Sequence, residues 1–159
     1  MVHPIADKLK QEREKLLAVV SELTEEALER RRGDGWSIRE LLTHLCNAEE
    51  DHCRVISVVA RGQSERLPTA LNLDEHNERR LAERGHLTRE QLLVALAEQR
   101  VKTEALLEKL TAEQLELKAN HPALGEITLG KIFRIIGLHE RMHQQDIAAA
   151  LKDDGDVPR

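Results

Sequence analysis

The sequence predicts an all-α fold, a four-helix bundle, and three observations predict it. Leu, Ala, Glu and Arg dominate the 159 residues, and all four are strong helix formers. Four long segments repeat apolar residues at helical spacing. Helix-start signals stand ahead of two of them. With one Trp, one Phe and no Tyr, aliphatic side chains must fill the core. A chain of this length buries such a core as one domain without staples. Residues 1–152 are expected to form it, and residues 153–159 a polar tail that frays.

The first helix is expected from about Pro4 to Leu23, with Pro4 suited to its first turn. Ile5, Leu9, Leu16, Val20 and Leu23 supply its apolar stripe. A short helical turn follows at Thr24 to Arg31, and Gly33-Asp34-Gly35 breaks the chain. The second helix opens on Ser37-Ile38-Arg39-Glu40, a capping box, and runs to about Ala60. Arg61 to Leu73 reads as loop. The third helix has a lead-in at Asp74 to Glu83, a break at Gly85-His86, and a second capping box at Thr88-Arg89-Glu90-Gln91. It then reaches Leu110, with another short turn at Thr111 to Leu115. Leu117 to Ile127, holding Pro122 and Gly125, reads as loop. The fourth helix is expected from about Thr128 to Lys152. A faint repeat relates Leu16 to Leu28 with Leu106 to Leu115, so the chain reads as two helical hairpins.

Composition excludes several classes of function. A net charge of −5 argues against a nucleic-acid partner. No apolar run approaches the roughly 20 residues of a membrane span, and no signal peptide is expected from the charged stretch Met1 to Glu14. Arg30-Arg31-Arg32 and Glu49-Glu50-Asp51 read as solvated helix faces. Cys46 and Cys53 lie about 10 Å apart along one helix, too far to pair. That suits a cytoplasmic location.

Histidines carry the chemical signal. Taking about 100° per residue, His143 lies about 40° from His139 around the fourth helix. Ile132, Ile136, Ile147 and Ala150 fall about 20–80° away on the same stripe. Two imidazoles one turn apart on a buried face are costly to satisfy separately, and they can converge on one ion. His139-Glu140-Arg141-Met142-His143 also fits the His-Glu-x-x-His pattern of zinc proteases, whose Glu is a general base. The third ligand such proteases take further along the chain is missing here. Glu140 is therefore read as a solvated residue at the stripe's edge, with a role as base the alternative.

His44, at the edge of the second helix's apolar arc, is the candidate third ligand. It lies seven residues after Ser37, and His139 lies eleven after Thr128, a difference of about one turn. Asp51 can face the same cleft. Cys46 and Cys53 point away, and His52, inside the apolar arc, has no assigned role. His3 is terminal, and His86 and His121 lie in loops.

Trp36-Ser37-Ile38-Arg39-Glu40-Leu41-Leu42-Thr43-His44-Leu45 resembles the W-[ST]-x-x-E-x-L-x-H-L element of the DinB/YfiT-like superfamily. His139 to Ile147 resembles that family's H-x-x-x-H-x-x-Q-[IL] element, and Leu73 to Glu78 its third-helix opening. The resemblance implies up-down-down-up connections with short extra helical turns. It implies a divalent metal, nickel or zinc, on His44, His139 and His143, and a homodimer. The activity it implies is S-transfer with a bacillithiol-like small-molecule thiol and an electrophile. Asp146 stands where the family often has Gln. A carboxylate there can orient a ligand ring or become a fourth ligand. Two other readings stay open: a metal-dependent hydrolase of a small ester or amide, and a non-catalytic metal-binding stress-response dimer.

Overall fold

The computed structural model describes residues 3–153. Helix α1 spans Pro4–Ser21, α2 Ile38–Ala60, α3 Leu73–Arg84, α4 Arg89–Lys109, α5 Ala112–Leu115 and α6 Leu129–Asp153. Short 3-10 turns sit at Ala27–Glu29 and Ser64–Arg66. The four long helices α1, α2, α4 and α6 make the bundle. The expected polar tail falls almost wholly outside the described residues. No described helix is long and apolar enough to cross a membrane.

Contacts between the helices give the connections. Cys46 on α2 meets the Ala95 carbonyl on α4, and Cys53 meets Thr103, so α2 and α4 run parallel. Arg13 on α1 reaches the Leu96 carbonyl and Arg100 on α4 reaches the Leu9 carbonyl, so these two helices are antiparallel. Glu12 pairs with Arg141 and Leu9 packs on Gly137, so α1 and α6 are parallel. The order is therefore up-down-down-up, as the resemblance implies.

Both capping boxes form. Ser37 Oγ accepts from the Glu40 amide at 3.1 Å, and Glu40 Oε1 accepts from the Ser37 amide at 2.9 Å. Thr88 and Gln91 do the same at 3.2 and 2.9 Å. A third box joins Thr111 and Gln114 at the start of α5. His3 caps α1, its Nδ1 accepting from the Ile5 amide at 3.1 Å.

The connection expected as loop over Leu117 to Ile127 is instead a β-hairpin. Strand β1 (Lys118–His121) pairs antiparallel with β2 (Gly125–Thr128), in register from Lys118 opposite Thr128 to His121 opposite Gly125. Gly125 takes φ +75° at the turn, a conformation open to glycine at little cost. Ala119 and Ile127 bury one face of the hairpin against the bundle. Pro122 and Gly125 signalled a break, and four-residue strands are too short for alternation to outweigh that signal.

The core is two apolar clusters. One holds Leu16, Val20, Leu42, Leu96 and Ile147; the other holds Leu9, Ile56, Leu107, Ile132 and Phe133. A buried ionic layer separates them, one residue from each long helix: Arg13, Glu49, Arg100 and Glu140, all at most 3% exposed. Helix α3 buries no residue. It is held to α2 by Arg80 and Arg84 on Glu50 and by His76 on Asp51.

Candidate metal centre

Local structure aims three rings at one point. The capping box starts α2 at Ile38, which sets His44 nearly two turns inside it. Trp36, just before the cap, lies against the His44 ring with centroids 4.8 Å apart. Its indole Nε1 donates to Glu78 on α3 at 2.9 Å. On α6, where Thr128 Oγ1 accepts from the Lys131 amide at 3.2 Å, His139 and His143 lie one turn apart and face α2.

The Nε2 atoms of His44 and His139 are 3.2 Å apart, and those of His139 and His143 are 3.0 Å apart. Ligand atoms of all three residues lie within 4.8 Å of one another. The rings meet nearly edge-on, at 74–88°. His143 Nδ1 donates to Asp146 Oδ2 at 3.0 Å. With a single proton on the ring, that donation leaves Nε2 as a bare lone pair facing the cluster.

Burial also favours the neutral form of two of the rings. It pulls His44 down to about 4, with His143 adding repulsion. It pulls His139 down to about 3, with His143 and His44 adding repulsion. Each therefore carries a single ring proton at neutral pH, on one nitrogen or the other. Three ring nitrogens this close suit a cation, since an imidazole in the tautomer that leaves Nε2 bare can give it a lone pair. Zn–N bonds of 2.0–2.1 Å in a tetrahedron place ligand nitrogens about 3.3 Å apart, close to the spacing seen. The donor set fits a divalent ion.

A model of the DinB superfamily matches residues 8–147. The chain belongs to the DinB superfamily. Against curated proteins its sequence has no match. Among solved structures it is similar to YfiT from Bacillus subtilis, described as a probable metal-dependent hydrolase with an unusual four-helix bundle topology. The TM-score is 0.69 and the identity 23%, over 97% of this chain and 87% of that one. It is similar to a mycothiol-dependent maleylpyruvate isomerase, with TM-score 0.76 and 13% identity over 98% of this chain and 65% of that one. A DinB-like protein from Bacillus subtilis superposes with TM-score 0.65 and 18% identity, over 98% and 95%. At these identities the likeness shows the fold.

The other sequence candidates of this DinB-superfamily chain lie around the three rings in different roles. Asp146 is on the far side of His143 from the cluster, with Arg32 3.6 Å from its other oxygen. It orients a ring there and is not among the clustered ligand atoms. Asp51 is turned to α3, where His76 Nε2 lies 2.7 Å from its Oδ2. Cys46 and Cys53 pack against α4, and burial pushes the Cys53 thiol up to about 11.

Glu140 and Glu49 correct the sequence reading, which placed both on solvated faces. Glu140 Oε1 accepts from Arg13 Nη2 at 2.6 Å and from Arg100 Nη2 at 2.6 Å. Its Oε2 has no hydrogen-bond partner among the described residues. Glu49 accepts from Arg13 Nη2 at 2.6 Å and Arg100 Nε at 2.9 Å. Burial by itself would raise the Glu49 carboxyl, but the two guanidinium groups outweigh it and hold it below the ordinary carboxylate range. Two arginines from α1 and α4 reach the bundle centre and turn a seam between helices into a dry ionic layer. Arg13, Glu49 and Glu140 border one narrow cleft with His52 and His139.

Sequence reasoning missed the partner of His52. Its Nε2 lies 3.2 Å from His121 Nε2 on β1, with the rings stacked at 16°. His121 Nδ1 accepts from the Ala123 and Leu124 amides at 3.1 and 3.3 Å. That leaves the proton on His121 Nε2, which donates to His52. Burial lowers both rings, His52 to about 4. The only signal in the sequence was an unassigned histidine inside the α2 apolar arc.

Proposed function

We propose that the protein is a metal-dependent S-transferase that brings a small bacillithiol-like thiol to an electrophile at His44, His139 and His143. A divalent ion at the three rings, nickel or zinc, lowers the pKa of a thiol placed against it and so supplies the nucleophile. The observation that carries the reading is a set of three converging ring nitrogens whose neighbouring carboxylate, Glu140, is held by two arginines. A free thiol has pKa near 8.5 and needs little help to ionise, whereas free water is near 15.7. The thiol reading therefore asks less of a site whose flanking carboxylates are both engaged, Glu140 by two arginines and Asp146 by His143. The likeness to a mycothiol-dependent isomerase supports the same direction.

The chain's own residues have defined parts in this reading. Asp146 holds the His143 ring with Nε2 forward. Trp36 packs beside His44 and limits its rotation. The Arg13–Glu49–Arg100–Glu140 layer ties all four long helices together, which fixes α2 against α6 and so the distance between His44 and the α6 pair.

The test is consumption of low-molecular-weight thiols by nickel- or zinc-loaded protein in the presence of electrophilic acceptors. Turnover that needs both metal and His143 is expected; a full thiol and electrophile panel without metal-dependent turnover overturns the reading. Hydrolysis of a small ester or amide is the second reading, favoured by the likeness to YfiT. Glu140→Gln separates the two. S-transfer per metal-loaded, folded molecule is expected to persist, whereas a hydrolase using Glu140 as base would lose its activity.

A further inference from the structure

A second feature lies on the opposite side of α6. Around that helix, Leu138, Arg134 and Arg141 fall about 100–160° from His139, away from the three rings. They border a groove of about 440 Å³ between α1 and α6, within the range of sites that hold small organic ligands (about 300–1,000 Å³). Ile5, Ile135 and Leu138 give it apolar walls over the buried Leu9, and Leu138 is 50% exposed. Gly137 lies between them. A Cβ there would come within 3.1 Å of Leu9 Cδ2, so the glycine permits the close approach of α1 and α6.

The charge around this groove runs against that of the whole chain. The protein carries −5, yet Lys8, Lys131, Arg134 and Arg141 rim the groove against one carboxylate, Glu12. Glu12 is already paired with Arg141 at 3.7 Å. Among the described residues no carboxylate lies within 4.0 Å of the Lys8, Lys131 or Arg134 side-chain nitrogens. Because α1 and α6 are parallel, their N-termini lie at the same end, near Pro4 and Lys131. Two helix dipoles add positive potential there. Unpaired cations beside exposed apolar walls complement a molecule with an anionic head and an apolar body. They disfavour a second copy of the same face, which would bring like charges together.

We propose that this groove is a second ligand site, for a soluble medium-chain carboxylate whose head meets Lys131 and Arg134 and whose chain lies along Ile5, Ile135 and Leu138. The site is independent of the three-histidine centre and of the reaction proposed for it.

Decanoate below its micelle concentration is the probe, titrated into the full chain by calorimetry. Saturable binding is expected, at least tenfold weaker in the Lys131→Glu/Arg134→Glu double variant, whose fold is checked by circular dichroism. Decyltrimethylammonium, with the same chain and the opposite charge, is expected to bind at least tenfold more weakly than decanoate. His143→Ala is expected to keep the decanoate affinity. Five results would each overturn the proposal: no saturable binding; equal binding by the double variant; equal binding of the cationic analogue; loss of binding in His143→Ala, which would place the carboxylate at the metal; or a change of oligomeric state in the double variant, which would make the face a self-interface. Sedimentation with phosphatidylglycerol vesicles without binding of free decanoate would point to a membrane surface instead, and would equally overturn it.

Discussion

Two histidine groups in this bundle share a spacing and differ in kind. His44 and His139 bring Nε2 atoms to 3.2 Å, and so do His52 and His121. The difference lies on the far side of the rings. His143, next in the first cluster, gives its Nδ1 proton to Asp146 and leaves Nε2 bare. His121 receives two backbone amides at Nδ1 and must keep its proton on Nε2. His143 Nε2 therefore offers the first group an acceptor lone pair, and the donor set fits a cation. The second is a completed hydrogen bond that ties the β-hairpin to α2. Close ring nitrogens alone do not make a metal site; the groups behind His143 and His121 set opposite tautomers in the two clusters.

The largest effect that sharpens this contrast is expected from His143→Ala. Loss of an orienting partner beyond the metal ligands typically costs 10–100-fold in metal affinity, so loss of a ligand itself is expected to exceed about 100-fold. Zinc or nickel occupancy by mass spectrometry checks it, with His52→Ala and His121→Ala at parent occupancy. Loss of metal in either control would break the comparison. Next is Asp146→Ala, expected to weaken metal binding by about 10–100-fold with little change in the metal-free melting temperature. An unchanged affinity would mean that Asp146 does not hold the His143 tautomer.

A smaller effect falls on stability. His121→Ala removes the bond to His52 and the acceptor for two turn amides. It is expected to cost about 1 kcal/mol in urea unfolding and to loosen the hairpin amides in hydrogen exchange. Parent-like protection of Ala123 and Leu124 would count against the tie. The smallest effect is in pH. His52 binds its proton near 6.5 when unfolded and near 4 when folded. The unfolded state thus takes up more protons between those values, and stability falls as pH drops from about 6.5 toward 4. In metal-free protein His44 and His139 act with the same sign. His52→Gln is expected to flatten part of that slope, and an unaltered slope would show that His52 is not buried neutral.

Much of the site was legible in the sequence because its information is local. His139 and His143 share a stripe by spacing alone, and Ser37 with Glu40 marks where α2 begins and so where His44 points. Asp146, three residues on from His143, could be placed near it by the same arithmetic. Glu49 and Glu140 were not legible. Their partners Arg13 and Arg100 stand 36 to 127 residues away in the chain. Periodicity tells which face a residue occupies, not what faces it.

What the sequence by itself determined is therefore the helical register: four bundle helices, two of their starts, and three histidines on inward stripes. Helix propensity, capping and the 3.6-residue repeat act within a few residues, and they are read directly. The tertiary structure decided the rest. Packing of α1 and α4 against α2 and α6 turned two glutamates expected in water into a buried ionic layer. Docking of the β-hairpin gave His52 its partner. The convergence of His44 on the His139–His143 pair, and of His121 on His52, depends on groups brought together across the fold, so what each cluster can do was decided there.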